Sequence, residues 1–224
     1  MVAGVRRALL LVAAASFGAS FLGAIRPTFA REDEVDGRMP VRVGWGYAAA
    51  YPAPSLSIAV ESELSGRLSD HVSLFVGSGF EGVIVYDPRA PDIARGFTAV
   101  GIGGGVFIRT KTVGPAVAFS MPISLDLRGD SVAGAGIGFR ATFYPYYHSL
   151  VETLACPHGP LGSYVGSSIF FWTGVRLDTL DESKGATVSF GAGIDLSRSV
   201  LVPLIGWIFR QGCSKERAGE SYVK

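Results

Sequence analysis

Between Ala116 and Arg128 the chain alternates without a break. Val117, Phe119, Met121, Ile123, Leu125 and Leu127 occupy one set of positions, and Ala116, Ala118, Ser120, Pro122, Ser124, Asp126 and Arg128 the other. A period of two marks an extended strand whose two faces meet different surroundings, whereas an amphipathic helix would bring apolar residues back at three and four. The segment is therefore a strand with one oily face and one face that tolerates charge. Its length suits the about 9–11 residues with which a tilted strand crosses a bilayer.

The same pattern predicts seven further strands, at about 41–47, 55–65, 71–86, 97–109, 132–144, 164–178 and 187–196. Compact polar or proline-rich segments separate most of them: Tyr51-Pro52-Ala53-Pro54, Gly66 to Asp70, Asp87 to Gly96, Lys111 to Gly114, Arg128 to Ser131, and Asp181 to Gly185. The longest connection, Pro145 to Ser163, is the exception. Val200 to Phe209, apolar but interrupted by Pro203, reads as a ninth strand, a short helix beneath the barrel, or the true terminal strand.

Eight consecutive strands with mostly short connections make an antiparallel meander, and closure into a barrel removes both exposed edges. The second face of these strands carries Glu61, Glu63, Glu81, Asp126, Arg128, Arg140, Arg176, Asp178 and Asp195 among many Gly, Ser and Ala residues. A narrow lumen needs small residues and lets acids and bases pair, so this set is expected to form an interior charge network. The oily set holds no charge, as a lipid-facing surface requires when one Arg or Lys at mid-bilayer costs about 2–4 kcal/mol. Aromatic residues near strand ends, Trp45, Tyr47, Tyr86, Tyr144, Tyr146 and Tyr147, fit interfacial girdles. The glycines at 134, 136, 138, 191 and 193 are expected to make room for the inward rings of Phe170 and Trp172. The competing architecture is a soluble lipocalin-like ligand-binding barrel, with the faces reversed.

The amino terminus is of another kind. Arg6 and Arg7 precede an apolar run from Ala8 to Ile25 and then Thr28-Phe29-Ala30, the layout of a secretory signal peptide cleaved after Ala30; cleavage after Ala24, or retention as an anchor, are the other readings. The expected organisation is a signal peptide at 1–30, a flexible leader at 31–40, a barrel domain at 41–209 and a polar tail at 210–224. Loss of Arg6, Arg7 and Arg26 turns 20 basic against 19 acidic residues into 17 against 19, a mature net charge of −2 that offers no footprint for nucleic acid.

Taken together, these features resemble the small OmpA/OmpX-type outer-membrane barrels: all-β, a single antiparallel up-and-down transmembrane barrel of eight strands behind a signal peptide. The resemblance is one of architecture. It implies the bacterial outer membrane as location, its lipid bilayer and the barrel-assembly machinery as partners, and an envelope role; it names no specific protein partner.

Few residues suggest chemistry. Gly101-Ile102-Gly103-Gly104-Gly105 lacks both the dinucleotide spacing and a Walker lysine, so no cofactor is expected. His148, Ser149 and Glu152 invite comparison with outer-membrane lipid hydrolases, but adjacent strand residues point to opposite faces, and no enzyme is expected. A narrow channel for small solutes is the other functional alternative. Cys156 and Cys213, the only cysteines, are a candidate disulfide in an oxidising compartment, with a Cys-x-His metal pair the weaker reading. Amino-terminal sequencing of the exported protein should begin at Arg31; a chain still carrying residues 8–25 would refute the signal-peptide assignment.

Overall fold

The computed structural model describes residues 35–48, 53–86, 94–110, 113–128, 131–148, 168–178 and 185–201. The strands are β1 (Val35–Arg38), β2 (Pro40–Ala48), β3 (Ala53–Arg67), β4 (Val72–Tyr86), β5 (Ala94–Arg109), β6 (Val113–Arg128), β7 (Ser131–His148), β8 (Ile169–Asp178) and β9 (Ala186–Asp195). Each pairs antiparallel with its sequence neighbour from β2 to β9, and β9 returns to pair with β2 from Pro40↔Asp195 to Ala48↔Thr187. The sheet is closed, with no free edge along the seam.

Nine strands make an eight-stave barrel because β1 and β2 form a single stave. Both pair with β3, and Val35↔Gly66, Arg38↔Glu63 and Val41↔Val60 continue one register across the break at Met39. This corrects the expectation of a flexible leader at 31–40 for its residues 35–40; residues 31–34 lie outside the described residues. Val35–Arg38 is too short to show a persuasive period of its own, and the register of β2 carries it into the wall.

The two faces fall as the alternation predicts. Val43, Ile58, Val76, Ile102, Met121, Ile123, Phe139, Phe171, Val175 and Phe190 stand exposed on the outside, while Arg42, Ala59, Phe75, Phe107, Ala116, Ala118, Thr142, Phe170 and Trp172 are buried. Trp45, Tyr47, Tyr86 and Tyr146 also face out. Tyr144 and Tyr147 do not: each is only 3% exposed and sits in the interior core, which corrects their assignment to an outer girdle. The register explains Tyr147. Gly114 opposes Tyr147 and Ala116 opposes Tyr144, so β7 carries one extra residue there, and such a bulge reverses which side chains point inward. Gly114, with φ of +150°, supplies backbone freedom that other residues rarely have.

Close packing at the seam depends on missing side chains. Phe170 lies across Gly193, and the indole of Trp172 crosses Gly191 onto Gly44; a Cβ on either Gly193 or Gly44 would collide with the ring. Gly136 instead makes room for the Arg176 guanidinium and Gly138 for the Pro122 ring, so those two glycines do not serve the aromatic residues. After β9 the chain makes one π-helical turn, Ser197–Leu201, rather than another strand; residues 202–209 lie outside the described residues. A Cβ at Gly191 would meet the Val43 carbonyl, the Gly44 Cα at 2.7 Å and the Trp172 Nε1 at 2.9 Å. Gly191→Val should therefore lower the unfolding free energy by about 1–3 kcal/mol or more, the cost of ordinary overpacking, read as a lower midpoint in urea titration; an unchanged midpoint would contradict the seam geometry.

Candidate functional site: a charged and aromatic barrel interior

Inward positions come from alternate residues of every stave, so the interior is assembled level by level. At the mouth where β1 begins and β9 ends, Arg38 faces Glu63 across the β1–β3 pair with 3.0 Å between Nη2 and Oε2. The contact is electrostatic, since the angles of a hydrogen bond are not met. The guanidinium also lies over Phe75 and Phe107, 4.9 and 4.5 Å from their ring centres. Around it Phe107, Tyr144, Tyr147 and Phe170 form a continuous chain of ring contacts at 4.5–5.8 Å.

Arg198, on the turn after β9, enters the same mouth and is 1% exposed. Its Nη2 donates to Asp36 Oδ2 at 2.7 Å and to the Tyr147 hydroxyl, and Tyr147 in turn donates to Asp36 at 2.9 Å. Asp195 stands 3.4 Å from Arg198 Nε and accepts from the backbone N–H groups of Met39 (3.1 Å) and Ser197 (3.0 Å) and from the Ser197 hydroxyl (2.6 Å). Burial alone would make the Arg198 guanidinium easier to deprotonate, but Tyr147, Asp36 and Asp195 more than offset it and hold its pKa above the ordinary arginine value.

Deeper in, Glu61 is shared by two arginines. Arg42 donates to both of its oxygens, Nη2 to Oε1 at 2.5 Å and Nε to Oε2 at 3.1 Å, and Arg140 donates from Nη1 at 3.0 and 2.8 Å. Arg42 also lies 5.0 Å from the Trp172 ring centre. Toward the other mouth Arg176 pairs with Asp126 at 2.5 Å.

Of the residues expected in the network, Glu61, Glu63, Asp126, Arg140, Arg176 and Asp195 are brought into ion pairs. Glu81 is half-buried on the inward face opposite Ala59 and Ala99. Arg128 and Asp178 end their strands, opposite Ser131 and Gly136, and their side chains are outside the described residues. Asp36, Arg38, Arg42, Tyr147 and Arg198 were absent from that set. Arg42 has the required parity on β2 and could have been included from alternation alone; the other four depend on the β1 register, the β7 bulge and the turn after β9. Cys156, Cys213, Ser149 and Glu152 lie outside the described residues, as does the His148 side chain, although its backbone pairs with Val113.

No protein-family model matches the chain. No curated protein matches it either. Three solved chains do. One of them, from a structure titled "De novo design of transmembrane beta-barrels", is 12% identical, with 70% of this chain and 94% of that chain covered and a TM-score of 0.34. A likeness that low carries no weight beside the strand pairing itself.

Glu61→Ala would leave Arg42 and Arg140 facing each other, buried and without their shared counter-charge. Removing one partner of a buried ion pair costs about 3–5 kcal/mol, so Glu61→Ala should destabilise the barrel by about that much in denaturant titration. A loss below about 1 kcal/mol would show that water already satisfies both guanidinium groups.

Proposed function

We propose that this chain is a non-enzymatic outer-membrane β-barrel, serving as a structural or surface-interaction component of a bacterial envelope. The observation that carries the reading is the inversion of its faces. Among the described residues the outward set has no charged side chain and exposes large apolar groups around the whole circumference, while the charges of the strands point inward and most of them pair. A soluble ligand-binding barrel needs the opposite distribution. In water such an exterior would drive association, because contiguous exposed apolar surface is an aggregation hazard; in a bilayer it is the stable arrangement. A shallow outward groove of about 460 Å³, floored by Ser62, Ser78 and Gly104 and bordered by Leu64, Val76, Ile102 and Met121, gives acyl chains an irregular surface to fill.

The interior argues for a structural rather than a transport role. An eight-stranded barrel has room for little more than its own side chains. Below the rim, where Arg67 and Arg109 meet Asp70, five inward arginines, at 38, 42, 140, 176 and 198, face six carboxylates, at 36, 61, 63, 81, 126 and 195, among the described residues. A near-balanced interior favours neither cations nor anions. Export behind residues 1–30, insertion by a barrel-assembly machinery and a Cys156–Cys213 disulfide belong to the same proposal.

The test is electrophoresis of the outer-membrane fraction with and without boiling. The folded barrel should run differently from its boiled form, and reductant should shift the boiled form further if Cys156 and Cys213 are joined. A protein recovered in the soluble fraction with one mobility would overturn the membrane assignment.

A further inference from the structure

The two ends of the barrel wall meet inside one mouth, and side-chain and single backbone contacts join them there in place of a ladder. The β2–β9 pairing stops at Pro40↔Asp195. Beyond it β1 pairs with β3, and the turn Ser197–Leu201 lies alongside: Leu196 N–H donates to the Met39 carbonyl at 2.9 Å and the Ser197 hydroxyl to the Gly37 carbonyl at 3.4 Å. The contact that commits the turn to the interior is Arg198, held by Asp36 and Tyr147 and stacked 4.0 Å from the Tyr147 ring centre.

We infer that the turn after β9 is a latch: the Arg198–Asp36–Tyr147 cluster holds it in the mouth as a stopper, and releasing that cluster opens the mouth while the wall and the deeper Glu61 level stay in place. Three features separate stopper from wall. The turn contributes no strand, so its departure breaks no ladder. Arg198 grips β1 and β7, besides Asp195 at the end of its own strand, whereas the seam is held by the nine paired positions of β2 and β9. The Glu61–Arg42–Arg140 level draws on β2, β3 and β7 and shares no residue with the latch. The open form is therefore a shallow cup floored by Arg38 and the rings of Phe107, Tyr144 and Phe170, with the Glu61 level beneath them, rather than a through-pore.

The reporter is Ser197→Cys, at a position with no exposure in the closed form, placed in the full chain with Cys156→Ser and Cys213→Ser. Detergent-solubilised protein is treated with a charged, water-soluble maleimide. The parent should be protected, and adding Asp36→Asn or Tyr147→Phe should raise the labelling rate at least about tenfold, with the β-sheet circular dichroism unchanged and no conductance gained in planar bilayers. Equal protection with and without these changes would overturn the latch, as would a reporter labelled at once in the parent. Loss of the β-sheet signal in both variants would also overturn it, because it would show that the cluster holds the wall and not a stopper.

Discussion

A barrel of eight staves encloses a space about as wide as the side chains that line it, and everything else in this molecule follows from that limit. Alternation sends half of each stave into the space, so the inward set must be small, or paired, or stacked. All three solutions are present. Glycines opposite Phe170 and Trp172 yield volume to the rings, the Glu61 carboxylate is divided between Arg42 and Arg140, and Arg38 and Arg42 lie over aromatic faces that replace part of the water they have lost. Buried ion pairs are poor sources of net stability, because desolvation offsets much of their attraction. Their use here is consistent with a demand for a filled and well-defined interior rather than for maximal stability.

The exterior faces the reverse problem. In the proposed bilayer setting the outward positions need suit only one apolar surrounding, which requires no particular partner. Consequently most of the outer residues are Val, Ile, Leu, Phe or Met, with Trp45, Tyr47, Tyr86 and Tyr146 among them, and the outer face carries little chemical information. The specific contacts lie within.

The wall was legible because its period is short and local. From Val117 to Leu127, or from Val188 to Leu196, each residue reports its face through its immediate neighbours. What was hidden depends on long-range register. Arg38 looks like part of a polar leader until β3 offers it Glu63, and Tyr147 seems to share a girdle with Tyr146 until one extra residue in β7 turns it inward. Arg198 follows the last strand, where no alternation remains to read, yet it is among the most deeply buried side chains of the structure. The shared Glu61 lay between these extremes: its face was plain from β3, but its two partners come from different staves and no single stretch of sequence shows them together.

The central claim is that alternate residues of one strand face lipid and lumen, and β6 tests it most directly. Single tryptophans placed at Met121 and Ile123, and separately at Ser120 and Ser124, in an otherwise tryptophan-free chain would be reconstituted in vesicles of brominated phospholipid. The account predicts strong bromine quenching at 121 and 123 and weak quenching at 120 and 124. Equal quenching at all four positions, or stronger quenching at 120 and 124, would contradict it.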